Sequence, residues 1–316
     1  MRIIFAGTSE FAAIILKAVA AQTDWHIVLV ISEPAKPSGK KKLLALSPVA
    51  QAAQELNLNL AAPAAIQDIK SDLAALNPDV MLIAAYGQIL PLEIISIPKF
   101  KTVNVHPSLL PKLRGASPIQ AALARGLSET GVSLMVIDEK VDHGPVISRE
   151  VLAIGDTDTY LTLEPKLAEL GAQMIIRDLP GYVSGRIKPQ EQNHAEATFT
   201  HLIKKENGHV DWQKMSAVEV YNLWRAYIKW PGIYTFFKNK SGASVRLKLI
   251  AIEKCATSDV AQKSAGEVFL DESKNLLIAC SPGAVKITKL QPEGSKVLTV
   301  QEFLNGYNCI VGQTLT

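Results

Sequence analysis

The sequence predicts an α/β protein: a doubly wound, mostly parallel sheet in the first half, followed by a small C-terminal β-barrel. Three observations carry that expectation. Short, β-rich apolar runs alternate with helical stretches from Arg2 to Ile137. After Leu179 the texture changes to P-G-Y-V-S-G-R-I-K-P-Q-E-Q-N-H, rich in turn formers and poor in apolar runs. Beyond it lie five short strands separated by turns, a pattern that fits a small barrel. At 316 residues the chain also exceeds the usual size of a single core, so two domains are expected.

In order, Arg2–Ala6 reads as strand, Phe11–Ala21 as helix, Trp25–Ser32 as strand and Pro48–Asn57 as helix. Asp68–Leu76, Val80–Ala85, Thr102–His106, Ile119–Ala124 and Val132–Ile137 continue the alternation. Tyr160–Arg177 has the 3.6-residue apolar spacing of a helix, with Pro165 near its start or kinking it. The turn-rich stretch is read as a linker, 186–206, between a domain at 1–185 and another at 207–316. In the latter, Ala217–Tyr227 is helical and stops before Pro231–Gly232. The strands follow at Ile233–Phe237, Val245–Ile252, Glu267–Leu270, Leu276–Cys280 and Ala284–Leu290.

Composition excludes several classes. Hydrophobic residues make up 48% and charged residues 20%, as in ordinary globular proteins. The run Val80–Ala85 is far too short to span a membrane, and the chain opens on a strand instead of a secretory leader. A cytoplasmic location away from membranes is expected. Cys255, Cys280 and Cys309 are scattered and odd in number, which suits neither a disulfide framework nor a metal site, and no metal is expected. Residues 1–189 carry 18 Lys+Arg against 18 Asp+Glu, and the remainder 15 against 12, so the surplus of +3 lies wholly in the C-terminal part. That suits a polyanionic partner without requiring one. The first turn, F-A-G-T-S-E-F, has one Gly where a dinucleotide fingerprint needs three, so no nicotinamide is expected, and no P-loop occurs.

The chemistry concentrates in K-T-V-N-V-H-P, with Asp142 following in V-D-H-G-P. Side chains two apart on a strand share a face, so Asn104 and His106 emerge together where Pro107 ends the strand. In open α/β sheets ligands bind at that carboxyl end. Asn can donate to a developing oxyanion, His can move a proton near neutral pH, and Asp142 can orient the ring. An Asn and a His at a strand end are also ordinary loop residues, and these residues alone leave both readings open.

N-V-H-P-S-L-L-P, R-G-A-S-P-I-Q, E-T-G-V-S-L-M and V-D-H-G-P-V together resemble the folate-dependent formyltransferase family, and the resemblance runs over nearly the whole chain. It implies a Rossmann-like catalytic domain with an OB-like barrel behind it, and 10-formyltetrahydrofolate as co-substrate. Asn104, His106 and Asp142 fall on the family's catalytic residues. Ser108, Leu109, Leu110 and Pro111 fall on its folate-associated turn, Gln88, Ile89 and Leu90 on its pterin-lining segment, and Asp138 on the loop that closes over the pterin. His143 is read as a solvent-exposed neighbour. Pro107 stands where some members acting on methionyl-tRNA have Gly.

Lys36, Lys40, Lys41 and Lys42 lie on a Pro/Gly loop. Such a run is commonly a solvated face, but it also suits phosphates. Family members that act on initiator methionyl-tRNA have a basic loop here, and their C-terminal pattern matches N-L-W-R-A-Y-I-K-W-P-G, so Arg225 and Lys229 are expected to face tRNA. Trp212, Trp224 and Trp230 are read as packing residues. The expected activity is formyl transfer to the methionine of initiator tRNA by a monomer. The alternatives are the same transfer to a small amine, a ribonucleotide or an amino sugar; hydrolysis of formyl-folate; or an RNA-binding protein without catalysis.

Overall fold

The computed structural model describes residues 1–38, 43–255 and 263–316. The chain forms two compact units, one of residues 1–118, 129–153 and 162–201, the other of residues 119–128, 154–161 and 202–316.

In the first unit a seven-stranded sheet runs in the order Leu60–Ala61, His26–Ile31, Arg2–Gly7, Val80–Ala84, Thr102–His106, Glu129–Val136, Val146–Ala153. The first five strands pair in parallel, and the last two join antiparallel. Ile3–Ala6 and Val80–Ala84 are buried throughout, as expected for strands covered on both faces. The helix Glu10–Ala20 begins where Ser9 Oγ accepts the Ala12 N–H at 3.4 Å. It buries Phe11, Ile15, Leu16 and Val19, which recur at helical spacing.

The long helix Tyr160–Val183 continues past the predicted end at Arg177 and contains both Pro165 and Pro180. Its apolar face, including Leu163, Leu167, Met174, Ile175 and Leu179, stays buried along the length and holds the element together across those two residues. Gly171 lies against the sheet so closely that an added Cβ would come within 2.8 Å of Val105 Cγ1. This helix therefore backs the strand that carries Asn104 and His106. The edge strand Val146–Ala153 lies outside the elements that the sequence predicts, because its R-E core breaks the apolar run; Val146 and Ile147 are buried, and from Ser148 onward the side chains alternate between half-buried and exposed along the rim.

The stretch expected to be a free linker is structured over much of its length. Val146 and Gln190 exchange two backbone hydrogen bonds of 2.8 Å, and Phe199–Thr200 pairs in parallel with Arg114–Gly115. Residues 162–201 belong to the first unit, and the break in composition lies inside it.

The second unit is built on an antiparallel sheet in the order Ile233–Lys238, Ser244–Lys254, Ala284–Pro292, Leu276–Ala279, Val268–Leu270, with Leu298–Thr299 added beside Ala284–Pro292. The tail closes it into a barrel. Leu315 N donates to Gly266 O at 2.9 Å, and Phe236 N donates to Thr316 O at 2.8 Å, so one segment reaches both outer strands. Inside lie Trp212, Phe237, Leu249, Ile287, Leu290 and Phe303, and the Trp212 indole donates to Thr235 Oγ1 at 2.9 Å. Helix Ala217–Tyr227 starts in a Ser216–Glu219 capping box. A further helix, Val300–Tyr307, begins the same way with Thr299 and Glu302. Cys280 is buried, and burial pushes its thiol up to about 12. Trp224 is half-buried, whereas Trp230, read as a packing residue, is 49% exposed.

Candidate active site

Asn104 and His106 leave the strand on one face, with the intervening Val105 buried on the other. The His106 side chain is 95% shielded, and both ring nitrogens meet acceptors. Nε2 lies 3.0 Å from the Leu113 carbonyl oxygen, which can only accept, so Nε2 carries the proton. Nδ1 lies 3.5 Å from Asp142 Oδ1. Only the doubly protonated ring donates to both partners.

Asp142 collects the other half of the site. Its Oδ1 also faces Asn104 Nδ2 at 3.4 Å, and its Oδ2 accepts the Gly115 N–H at 2.7 Å. The two residues that bracket His106, Leu113 and Asp142, both have left-handed backbones, with φ of +58° and +49°. Such conformations cost about 1–3 kcal/mol each and persist where the surroundings over-determine them. Here the surroundings include Thr198 Oγ1, which accepts the Leu113 N–H at 2.9 Å.

Sequence reading missed the supports of this pair. Arg114 is buried and directs Nε and Nη2 at Gln192 Oε1, at 3.2 and 2.7 Å. Its Nη2 also donates to His194 Nδ1 at 2.9 Å. His194 stacks on His143 with ring centres 4.0 Å apart, and His143 Nδ1 donates to Asp138 Oδ2 at 2.6 Å. Loss of water, then the positive charges of His143, Arg114 and Lys140, lower the His194 pKa against the opposing pull of Glu191. His143 is thus a partnered, half-buried residue. The only sequence signal for these partners was the R-G motif after the S-L-L-P turn and the polar cluster Q-E-Q-N-H.

The residues expected to meet folate are dispersed in their tasks. Ser108 is buried and donates to Lys112 O at 2.6 Å; Leu110 packs with Met135 and Val146. Leu109 lies against Gly131, and the Pro111 carbonyl accepts the Thr198 N–H at 3.3 Å. The Gln88 amide ties down the neighbouring turn: Oε1 accepts the Ile66 N–H at 2.8 Å and Nε2 donates to Pro63 O at 3.2 Å. Ile89 is 87% exposed, and Leu90 packs at the margin of the core. Beside them a cleft of about 410 Å³ is lined by Leu92, Ile95, Ile137, Asp138, Glu139 and His143 among others. Asp138 and His143, which line the cleft, lie on the same loop as Asp142.

Of the expected tRNA contacts, Lys40, Lys41 and Lys42 lie outside the described residues. Lys36 is exposed and paired with Glu33 at 2.7 Å. Lys229 is exposed, with its ammonium 5.3 Å from the centre of the Tyr160 ring. Arg225 corrects the sequence reading. It is 5% exposed, and its guanidinium donates to Gly155 O, Asp158 O and Asn222 Oδ1 at 3.1, 3.2 and 2.7 Å. Those acceptors hold it inside the second unit, where it braces a loop and is not displayed to a phosphate.

Residues 1–179 match the family described as Formyl transferase, and residues 202–308 match Formyl transferase, C-terminal domain. The chain belongs to the formyl transferase family. Within it, the chain is 37% identical to the methionyl-tRNA formyltransferase of Caldicellulosiruptor saccharolyticus, over 100% of both chains. It is 39% identical to that of Thermodesulfovibrio yellowstonii, over 96% of this chain and 95% of the other. Among solved structures, HypX from Aquifex aeolicus in complex with tetrahydrofolic acid aligns with a TM-score of 0.62 at 18% identity. That match covers 96% of this chain and 47% of HypX, so this chain spans about half of the longer protein. The Helicobacter canadensis N-formyltransferase, in complex with folinic acid and dTDP-3-aminofucose, aligns with a TM-score of 0.64 at 17% identity, over 90% of this chain and 97% of that one. At such identities these structures establish the formyl transferase fold alone.

Proposed function

We propose that this chain transfers the formyl group of 10-formyltetrahydrofolate to the α-amino group of methionine on initiator tRNA. One observation carries the chemical half of the reading: His106 stands between the Leu113 carbonyl and the Asp142 carboxylate, with the Asn104 amide at the same carboxylate oxygen. The substrate half rests on the end-to-end likeness to methionyl-tRNA formyltransferases.

The residues supply what acyl transfer needs. As the amine attacks the formyl carbon, negative charge develops on the formyl oxygen. Asn104 Nδ2 has a second N–H besides the one directed at Asp142, and it can be given to that oxygen. His106 Nε2 is committed to Leu113, so Nδ1 is the nitrogen that shares its proton with the substrate. Asp142, facing Nδ1, is the candidate acceptor of the amine proton; the bond from the formyl carbon to folate N10 then breaks, and that proton returns by way of Asp142 or His106 to N10, which leaves as tetrahydrofolate. The neighbouring cleft fits a folate headgroup: its volume lies in the range of small-molecule sites, its walls combine Leu92, Ile95, Val136 and Ile137 with polar groups, and among these Asp138 and Glu139 can accept from ring N–H groups. Lys36, Lys40, Lys41, Lys42 and Lys229 are the candidates for tRNA phosphates, and Gln88–Leu90 and Ser108–Pro111 frame the folate side. A monomer in the cytoplasm, with two units joined in one chain, suffices for the reaction.

The test is transfer of labelled formyl from 10-formyltetrahydrofolate to charged initiator tRNA, beside free methionine, a nucleotide-linked amino sugar and water. Labelled formyl-methionine on the tRNA is expected. Faster labelling of the amino sugar, or release of free formate alone, would overturn the substrate assignment.

A further inference from the structure

The Gln192 side chain is 4% exposed as a residue and uses its whole hydrogen-bonding capacity on the two loops that deliver Leu113 and Asp142 to His106. Its Nε2 donates to the carbonyl oxygens of Asp142 and Gly144, at 3.0 and 2.7 Å. Its Oε1 accepts both Nε and Nη2 of Arg114. A carboxamide has two donor hydrogens and two acceptor sites, and all four are spent here. Arg114 stands between Leu113, whose carbonyl meets His106, and Gly115, whose N–H meets Asp142.

We propose that Gln192 is a positioning residue for formyl transfer, clamping the Asp142–Gly144 turn to the Arg114 loop so that the Asp142 carboxylate stays on His106. Asp142 occupies a left-handed backbone that must be held from outside, and Gln192 grips the carbonyl of that same residue. An unmade bond at a buried carbonyl leaves a desolvated acceptor, which drives the turn to another conformation. The carboxylate then leaves a site where its contacts to His106 and Asn104, at 3.5 and 3.4 Å, have no slack. Displacements near 1 Å cost about 100-fold in rate. The inference rests on the assignment of Asp142 to the chemistry.

Two variants separate positioning from plain stability. Gln192→Met keeps the length and most of the volume but removes every polar contact. Gln192→Glu keeps an acceptor for Arg114 and loses only the donors to the two carbonyls. Both are compared with the wild-type chain and with Asp142→Asn, on folded protein checked by circular dichroism. The expected result is a fall in kcat of about 10–100-fold in both variants, with KM for folate and tRNA held and the pH–rate profile displaced. A residue that only stabilises the fold would lower the melting temperature and leave kcat and the profile of the folded fraction unchanged. If Asp142→Asn is inactive while both Gln192 variants keep kcat within about twofold of wild type, the clamp is refuted and the chemistry stands. An active Asp142→Asn refutes the assignment of Asp142 itself, and the clamp with it.

Discussion

The backbone N–H of Gly115 donates a 2.7 Å hydrogen bond to Asp142 Oδ2, shorter than the contacts that the same carboxylate makes with Asn104 and His106. A charge-assisted bond from a fixed peptide is a firm anchor. Gly115 has φ of +107°, and a Cβ there would come within 2.4 Å of Thr200 O. Gly115→Ala is therefore expected to move the peptide off the carboxylate, lowering kcat about 10–100-fold through displacement of Asp142. Steady-state kinetics on the folded variant check this; wild-type kcat would break the link between the two residues.

Asn104→Ala and His106→Ala should each cost about 10²–10³ in kcat, the usual loss on removing one donor to a developing oxyanion. Folate binding, followed by fluorescence titration, should survive, since both groups act on the transition state. Near-normal turnover in either variant would remove that residue from the reaction.

The His194 stack predicts an acid-sensitive element. Its folded pKa is lowered, and the unfolded value is about 6.5, so protons bind the unfolded chain more readily. Stability is then fully present above about pH 6.5 and is lost as pH falls towards the folded value. The bond from Arg114 to His194 Nδ1 needs that nitrogen unprotonated and goes with it. The melting temperature should drop on acidification below pH of about 6.5, and His194→Asn should flatten that drop. Identical acid slopes in the two proteins would leave His194 without a part in it.

Replacing Lys40, Lys41 and Lys42 together by Ala should raise KM for charged tRNA and flatten its dependence on salt. Each lost phosphate contact should reduce the log–log slope by roughly 0.7–0.9. KM for folate should hold. An unchanged salt slope for tRNA would show that these lysines do not meet the phosphates.

The sequence made the parallel half legible because buried strands such as Val80–Ala84 are continuous apolar runs with no competing periodicity. Asn104 and His106 were legible because a two-residue spacing before Pro107 specifies their common face. The supports of the site were not. Gly115 acts through a backbone N–H and Leu113 through a carbonyl, groups that nearly every residue carries and that no motif singles out. Gln192 reaches Asp142 across 50 positions of chain, from a segment whose turn-rich composition reads as a tether. Arg225 failed for the opposite reason: a charge in sequence suggests water, and only the structure supplies the carbonyls that bury it.

The pairing of Phe199–Thr200 with Arg114–Gly115 bears on how this protein can be cut and recombined. A fragment ended where composition changes, near Gly185, would lack Gln190, Gln192, Thr198 and Thr200, and with them the segment that steadies both loops around His106. Chimaeras that exchange the C-terminal part of the second unit, residues 202–316, between relatives face the same boundary. A junction placed after His201 carries the whole brace with the catalytic half, whereas one placed in the turn-rich stretch splices a foreign brace onto native loops. The seam visible in the amino-acid text and the seam in the working molecule lie some distance apart, and grafts should follow the second.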